Sequence, residues 1–200
     1  MLSYAFEKPE FKWFEGAKLN ITENCIDRHL RTHGNKTAIL FEPNDASEEA
    51  QHITYNELHE RVCKMANVLK SKGVQKGDRV CIYLPMIPEL AVSVLACARI
   101  GAIHSVVFAG FSSTALATRI NDSSCKMLIT SDGSFRGNKK IDLKGIVDAA
   151  LEQCDCIKDV LVVKRIQTDI PMVSNRDAWL QPLLDAAEST CEPEIMDAED

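Results

Sequence analysis

The chain has 200 residues, 46% of them hydrophobic and 26% charged, and a formal net charge of −6. That composition is long enough to bury a core as one or two domains and too apolar to stay disordered. The charge is concentrated: residues 185–200 hold seven acids and no Lys or Arg, which leaves 23 basic against 22 acidic residues in the rest of the chain. A near-neutral body excludes a strongly basic nucleic-acid binder, so no nucleic-acid partner is expected.

After an arm over residues 1–20 that carries Trp13 and Phe14, the pattern predicts a helix over 21–33, a short strand over 39–41 and an exposed polar loop over 42–51. Thr54 and Glu57 are spaced as a capping box. Behind them Leu58, Val62, Met65, Ala66 and Leu69 recur on one helical face, and Gly73 closes the helix. A turn at 76–78 leads to a strand over 80–84, then to a helix over 88–100 that is apolar nearly all round and therefore expected to be buried. A strand over 105–108, a helix over 112–121 capped by Ser112 or Ser113, a strand over 127–130 and a helix over 143–154 follow. A strand over 160–163 and a helix over 177–187 complete the pattern. Short apolar strands alternating with longer helices predict βαβ units. The expected fold is α/β, a mainly parallel sheet flanked by helices over residues 21–187, with 188–200 as an acidic linker.

The eight cysteines (Cys25, Cys63, Cys81, Cys97, Cys125, Cys154, Cys156 and Cys191) are scattered through segments such as VCIYL and VLACA, where a free thiol packs as a small hydrophobe. There is no CxxC pair, and Cys154-Asp155-Cys156 stands without a second pair, so no metal site is expected. Acids in MLSYAFEKPEF argue against a signal peptide. The most apolar stretch, residues 86–98, is shorter than the roughly 18 residues of a membrane span. The expectation is a reduced, soluble, cytoplasmic protein with no membrane partner.

In an open α/β sheet, ligands bind at the carboxyl ends of the strands. Two loops fall there. In the segment 131–140, Arg136, Lys139 and Lys140 place three cations within five residues and Gly137 lets a ligand approach the backbone, which suits a phosphate; the alternative is a solvated basic loop. In the segment 108–112, Phe108 can wall a ligand lying against Ala109 and Gly110, or Gly110 serves only the turn. His29 and His33, four apart, lack the Glu of a zinc-protease helix and read as an exposed pair. His104 reads as a satisfied core histidine. With no nucleophile elbow and no GxxxxGK[ST] loop, these residues make part of a binding site and include no catalytic residue.

Several blocks carry a family resemblance: WFEGAKLN from Trp13, DRHL from Asp27, ITYNEL from Ile53, GDRV from Gly77, YLPMIPE from Tyr83, RIGAIHSVVFAGFS from Arg99 and RIND from Arg119. Their order resembles the N-terminal part of the AMP-forming acetyl-coenzyme A synthetases, a branch of the acyl-adenylate-forming ligases, and the likeness runs to Asp200. It implies that acetate attacks ATP, with Mg²⁺ present, to give acetyl-adenylate and pyrophosphate, and that coenzyme A then displaces AMP. By resemblance the short Arg-Gly-Gly-Lys stretch that meets the coenzyme's phosphates matches Arg136, Gly137, Asn138 and Lys139. The VVF-x-GF segment near its adenine matches Phe108, Ala109 and Gly110. Asn138 stands where the family usually has Gly, and Asn tolerates a left-handed backbone.

The family's TSGSTG-type loop for the ATP phosphates does not occur in the sequence, nor do the acetate pocket and the catalytic lysine. The resemblance therefore implies an N-terminal portion, inactive alone. Its partners are coenzyme A, acetate, ATP and the rest of its own chain. Two rival readings are a ligase for propionate or acetoacetate and a truncated, non-catalytic binding module.

Overall fold

Thr54 and Glu57 form the capping box that their spacing predicts: Thr54 Oγ1 accepts from the Glu57 N–H at 3.2 Å and Glu57 Oε2 accepts from the Thr54 N–H at 2.7 Å. The helix they open, α2, is one of six in the computed structural model, which describes residues 2–200. In chain order the elements are β1 (Leu2–Ala5), β2 (Glu10–Trp13), a π-helical turn over Glu23–Asp27 leading into α1 (Arg28–His33), β3 (Thr37–Phe41), β4 (Gln51–Thr54), α2 (Tyr55–Ser71), β5 (Arg79–Ile82), α3 (Pro88–Arg99) and β6 (Ile103–Val106). Then come α4 (Ser113–Ser123), β7 (Met127–Ser131), β8 (Ser134–Arg136), β9 (Lys139–Ile141), α5 (Leu143–Leu151), β10 (Asp159–Val163), β11 (Asp177–Trp179) and α6 (Leu180–Ala186).

Five strands form one all-parallel sheet in the order β11-β10-β7-β5-β6. Counted in chain order from β5 this is 2-1-3-4-5, a doubly wound arrangement whose direction of winding reverses between β5 and β7. The pleat sends alternate residues to opposite faces. Val80, Ile82, Met127, Ile129 and Leu161 pack with α2 and α3 on one side, and Cys81, Tyr83, Leu128, Val160 and Val162 pack with α4 and α5 on the other. The predicted apolar face of α2 is buried throughout. Each of its larger side chains contributes about 1.5–3 kcal/mol, before conformational entropy is set against it. Helix α3 opens with Pro88 as its first residue and has no exposed residue, as its all-round apolar sequence predicts.

Five local expectations are revised. The strand expected over 105–108 is β6, two residues earlier, and the segment 131–140 is no open loop but carries the β8–β9 hairpin. Residues 177–179 join the sheet as β11 before α6 begins, because β10 offers a free edge that satisfies their backbone. His104 is exposed, not a core histidine: β6 is the sheet's edge, and its neighbours Ile103 and Val106 are also exposed. His29 and His33 are half-buried, and the His29 ring centroid lies 5.0 Å from that of Tyr55. All eight cysteines are free; Cys25 is exposed, and the others are buried or half-buried.

The acidic segment 188–200 lies against the body, held by its backbone. Asn67 Nδ2 donates to the Glu188 and Thr190 carbonyls at 2.9 and 2.8 Å. Arg99 Nε donates to the Cys191 carbonyl at 2.6 Å, and Asn20 Nδ2 donates to the Glu194 carbonyl at 2.8 Å. Arg99, only 3% exposed, also makes a two-pronged ion pair with Asp27 at 2.9 and 3.0 Å. Burial alone raises the Asp27 carboxyl, but Arg99 outweighs it and holds the group below the ordinary carboxylate range.

Candidate ligand groove at the strand carboxyl ends

A groove of about 470 Å³ opens above the point where the winding reverses. Four strands deliver residues to it from their carboxyl ends: Pro85, Met86 and Ile87 follow β5, Phe108, Ala109 and Gly110 follow β6, Ser134–Arg136 follow β7, and Arg165 follows β10. That is where a doubly wound sheet binds ligands, because strands on either side of the reversal lead their loops apart and leave a crevice. Of the two segments singled out in sequence, 108–110 and Arg136 thus meet in one groove although 26 positions separate Gly110 from Arg136, while Gly137 and Asn138 line a neighbouring cavity and Lys139 lines neither.

The hairpin geometry divides the cations. Arg136 lies opposite Lys139 across the ladder and Phe135 lies opposite Lys140, so alternation puts Arg136 and Lys139 on one face and Lys140 on the other. Arg136, Lys139 and Lys140 are exposed, with no ion pair among the described residues. The expectation for Asn138 is corrected: Gly137 carries the positive φ, +57°, and Asn138 has none. A two-residue turn of this kind has glycine at its first central position, so Asn in the second conflicts with nothing in the backbone. The Gly137 carbonyl accepts from Asn44 Nδ2 at 3.0 Å, which ties the hairpin tip to the loop between β3 and β4.

On the other wall the Phe108 ring lies over Gly110; a Cβ there would collide with the ring. Phe108 is 69% exposed, so its face is open to the groove, and its ring packs edge-on against Phe111 at 5.8 Å. Tyr83 fixes this turn by donating from its hydroxyl to the Phe111 carbonyl at 2.8 Å. Burial raises the Tyr83 phenol, which keeps it a donor at neutral pH. Ser112 then caps α4, its Oγ accepting from the Ala115 N–H at 3.3 Å.

No motif in the sequence marks Asp132 or Arg165. Asp132, 1% exposed, takes no cation; its carboxylate accepts the N–H groups of Gly133, Arg165, Ile166 and Thr168 at 2.8, 2.7, 3.0 and 3.3 Å. It thereby fastens the segment after β10 to the end of β7. The one usable sequence signal for Arg165 is its place two residues after the apolar run of β10. Among the described residues no three His, Cys, Asp or Glu side chains converge as metal ligands, and no helix is long and apolar enough to cross a membrane.

A parallel sheet wound in this order, with a cationic and aromatic groove at its reversal, defines a doubly wound α/β protein with a candidate ligand site at the switch point. The model of the AMP-binding enzyme family matches residues 26–200, and the chain belongs to that family. It is similar to the acetyl-coenzyme A synthetase of Saccharophagus degradans, 54% identical over 99% of this chain. It is 55% identical to acetyl-coenzyme A synthetase 2 of Pseudomonas aeruginosa over 96% of the chain, and 52% identical to the Magnetococcus marinus acetyl-coenzyme A synthetase over its whole length. The chain spans about 30% of the length of these relatives.

Proposed function

We propose that this chain is the N-terminal region of an AMP-forming acetate–coenzyme A ligase and supplies one wall of its coenzyme A site. The observation that carries the reading is the meeting of unpaired Arg136 with the open Phe108 ring in a single groove at the sheet's reversal, with Lys139, also unpaired, opposite Arg136 in the hairpin ladder. Residues of this kind fit a phosphorylated nucleotide: cations for its phosphates, a backbone free of side chain at Gly137 for close approach, and an aromatic face for its base. Arg136 and Lys139 bind the phosphates of the coenzyme's nucleotide end, with the Gly137–Asn138 turn between them. Phe108, Ala109 and Gly110 receive the adenine. The similarity to acetyl-coenzyme A synthetases supports acetate as the acyl substrate.

In this reading ATP, acetate and Mg²⁺ are held by other segments of the complete polypeptide, and the protein works in the cytoplasm. The 200 residues alone make no acetyl-adenylate. The test is kinetic and uses the full-length protein. Arg136→Ala raises the KM for coenzyme A about tenfold, the value of one charge-assisted contact, while acetate-dependent ATP–pyrophosphate exchange persists. An unchanged KM removes Arg136 from the site.

A further inference from the structure

We propose that Arg165 is a third ligand-binding cation of the groove and that Glu48 is an internal carboxylate which the anionic ligand displaces from it. The inference rests on the coenzyme A reading above and assigns that site one cation and one competitor beyond it.

Arg165 differs from the hairpin cations in how firmly it is set. Its backbone N–H is bonded to the buried Asp132 carboxylate at 2.7 Å. Its guanidinium carbon stands 5.3 Å from the Phe135 ring centroid and 6.0 Å from that of Phe41. Aromatic faces hold a guanidinium by cation–π attraction and leave its N–H edge free for acceptors. The side chain is 19% exposed and lines the same groove as Arg136 and Phe108.

What occupies that edge is weak. Glu48 Oε2 lies 3.5 Å from Arg165 Nη1, outside hydrogen-bond distance, and the Glu48 side chain is 45% exposed. No other acidic side chain pairs with Arg165 among the described residues. A guanidinium offers five N–H donors in a fork that suits phosphate, and here it is preorganised yet nearly unspent. A phosphate brings up to two charges and three acceptor oxygens against one loosely held carboxylate oxygen. Glu48 sits on the loop between β3 and β4, whose Asn44 bonds the Gly137 carbonyl, so that loop touches both the hairpin tip and Arg165.

A wall residue and a ligand-binding residue respond differently to loss of the competitor. Calorimetric titration of the full-length protein with coenzyme A separates them. Glu48→Gln should tighten coenzyme A about threefold to tenfold, because the displaced charge is gone, and Arg165→Gln should weaken it about tenfold. In the Arg165→Gln background, Glu48→Gln should have no effect on affinity. Should Arg165→Gln fail to fold, Arg165→Lys, which keeps the charge but loses the fork, should still weaken binding. Unchanged or weaker binding by Glu48→Gln overturns the proposal, and so does unchanged binding by either Arg165 variant. If Arg136→Ala weakens binding while the Glu48 and Arg165 variants do not, the coenzyme A reading stands and this proposal falls. If Arg136→Ala has no effect either, the site reading falls with it.

Discussion

The Asp132 carboxylate and the Arg165 backbone N–H lie 2.7 Å apart and join the ends of β7 and β10. The same carboxylate takes three further N–H groups, so a buried anion is neutralised entirely by backbone dipoles. Asp132→Ala leaves the Gly133 and Ile166 N–H groups, whose bonds are buried, without partners, and each costs about 1–3 kcal/mol when unpaired. The expected loss is about 2–4 kcal/mol in urea unfolding, with amide exchange rising first over residues 165–168. A loss below about 0.5 kcal/mol, the range of an ordinary surface change, contradicts the anchoring role.

Gly137 takes φ +57°, and a Cβ at that position would meet nothing within 4 Å, so only backbone strain opposes a side chain there. Gly137→Ala should lower stability by about 1–2 kcal/mol, and Gly137→Asn by less, since Asn tolerates the left-handed region. Equal melting temperatures for the two variants would remove the turn from the explanation.

Arg99 couples Asp27, the Cys191 carbonyl and the segment 188–200. Arg99→Met removes a buried cation and leaves the Asp27 carboxylate only the His59 ring at 3.3 Å, a change that costs about 3 kcal/mol. Limited proteolysis of the variant should cut within 188–195 before any site in the sheet. First cleavage elsewhere argues that Arg99 does not hold the segment down.

Lys144, fully buried, pairs with Asp177 at 2.9 Å and with Asp148 at 2.7 Å, and Arg176 reaches both carboxylates. Burial by itself raises the Asp177 carboxyl, but Arg176, the Val173 N–H and Lys144 together hold it below its ordinary value. The folded value is thus below the unfolded one of about 3.9. The stabilisation is present above that pH and is lost as pH falls through the folded value. Asp177→Asn should lower the melting temperature at pH 7 and flatten its decline below about pH 4 relative to the unaltered protein. Parallel acid limbs would exclude Asp177 as the titrating group.

Local chemistry makes much of this protein legible. The capping box at Thr54 and Glu57, the buried face of α2 and the burial of α3 depend on neighbours within a few residues, which spacing reports directly. The hairpin within 131–140 is hidden in the sequence because Ser134–Arg136 and Lys139–Ile141 are polar and short, and their pairing is satisfied only when Gly137 turns the chain. The exposure of His104 is equally hidden, because strand periodicity says nothing about which strand ends at the sheet's edge.

The sequence by itself determined the α/β alternation, the likeness to the ligase family and the two fragments around Phe108 and Arg136. Only the tertiary structure decided that they share one groove, that Arg165 enters it and that Glu48 stands beside Arg165. The reason is physical: strand order sets which carboxyl ends are neighbours, and that order arises from packing between segments far apart in the chain.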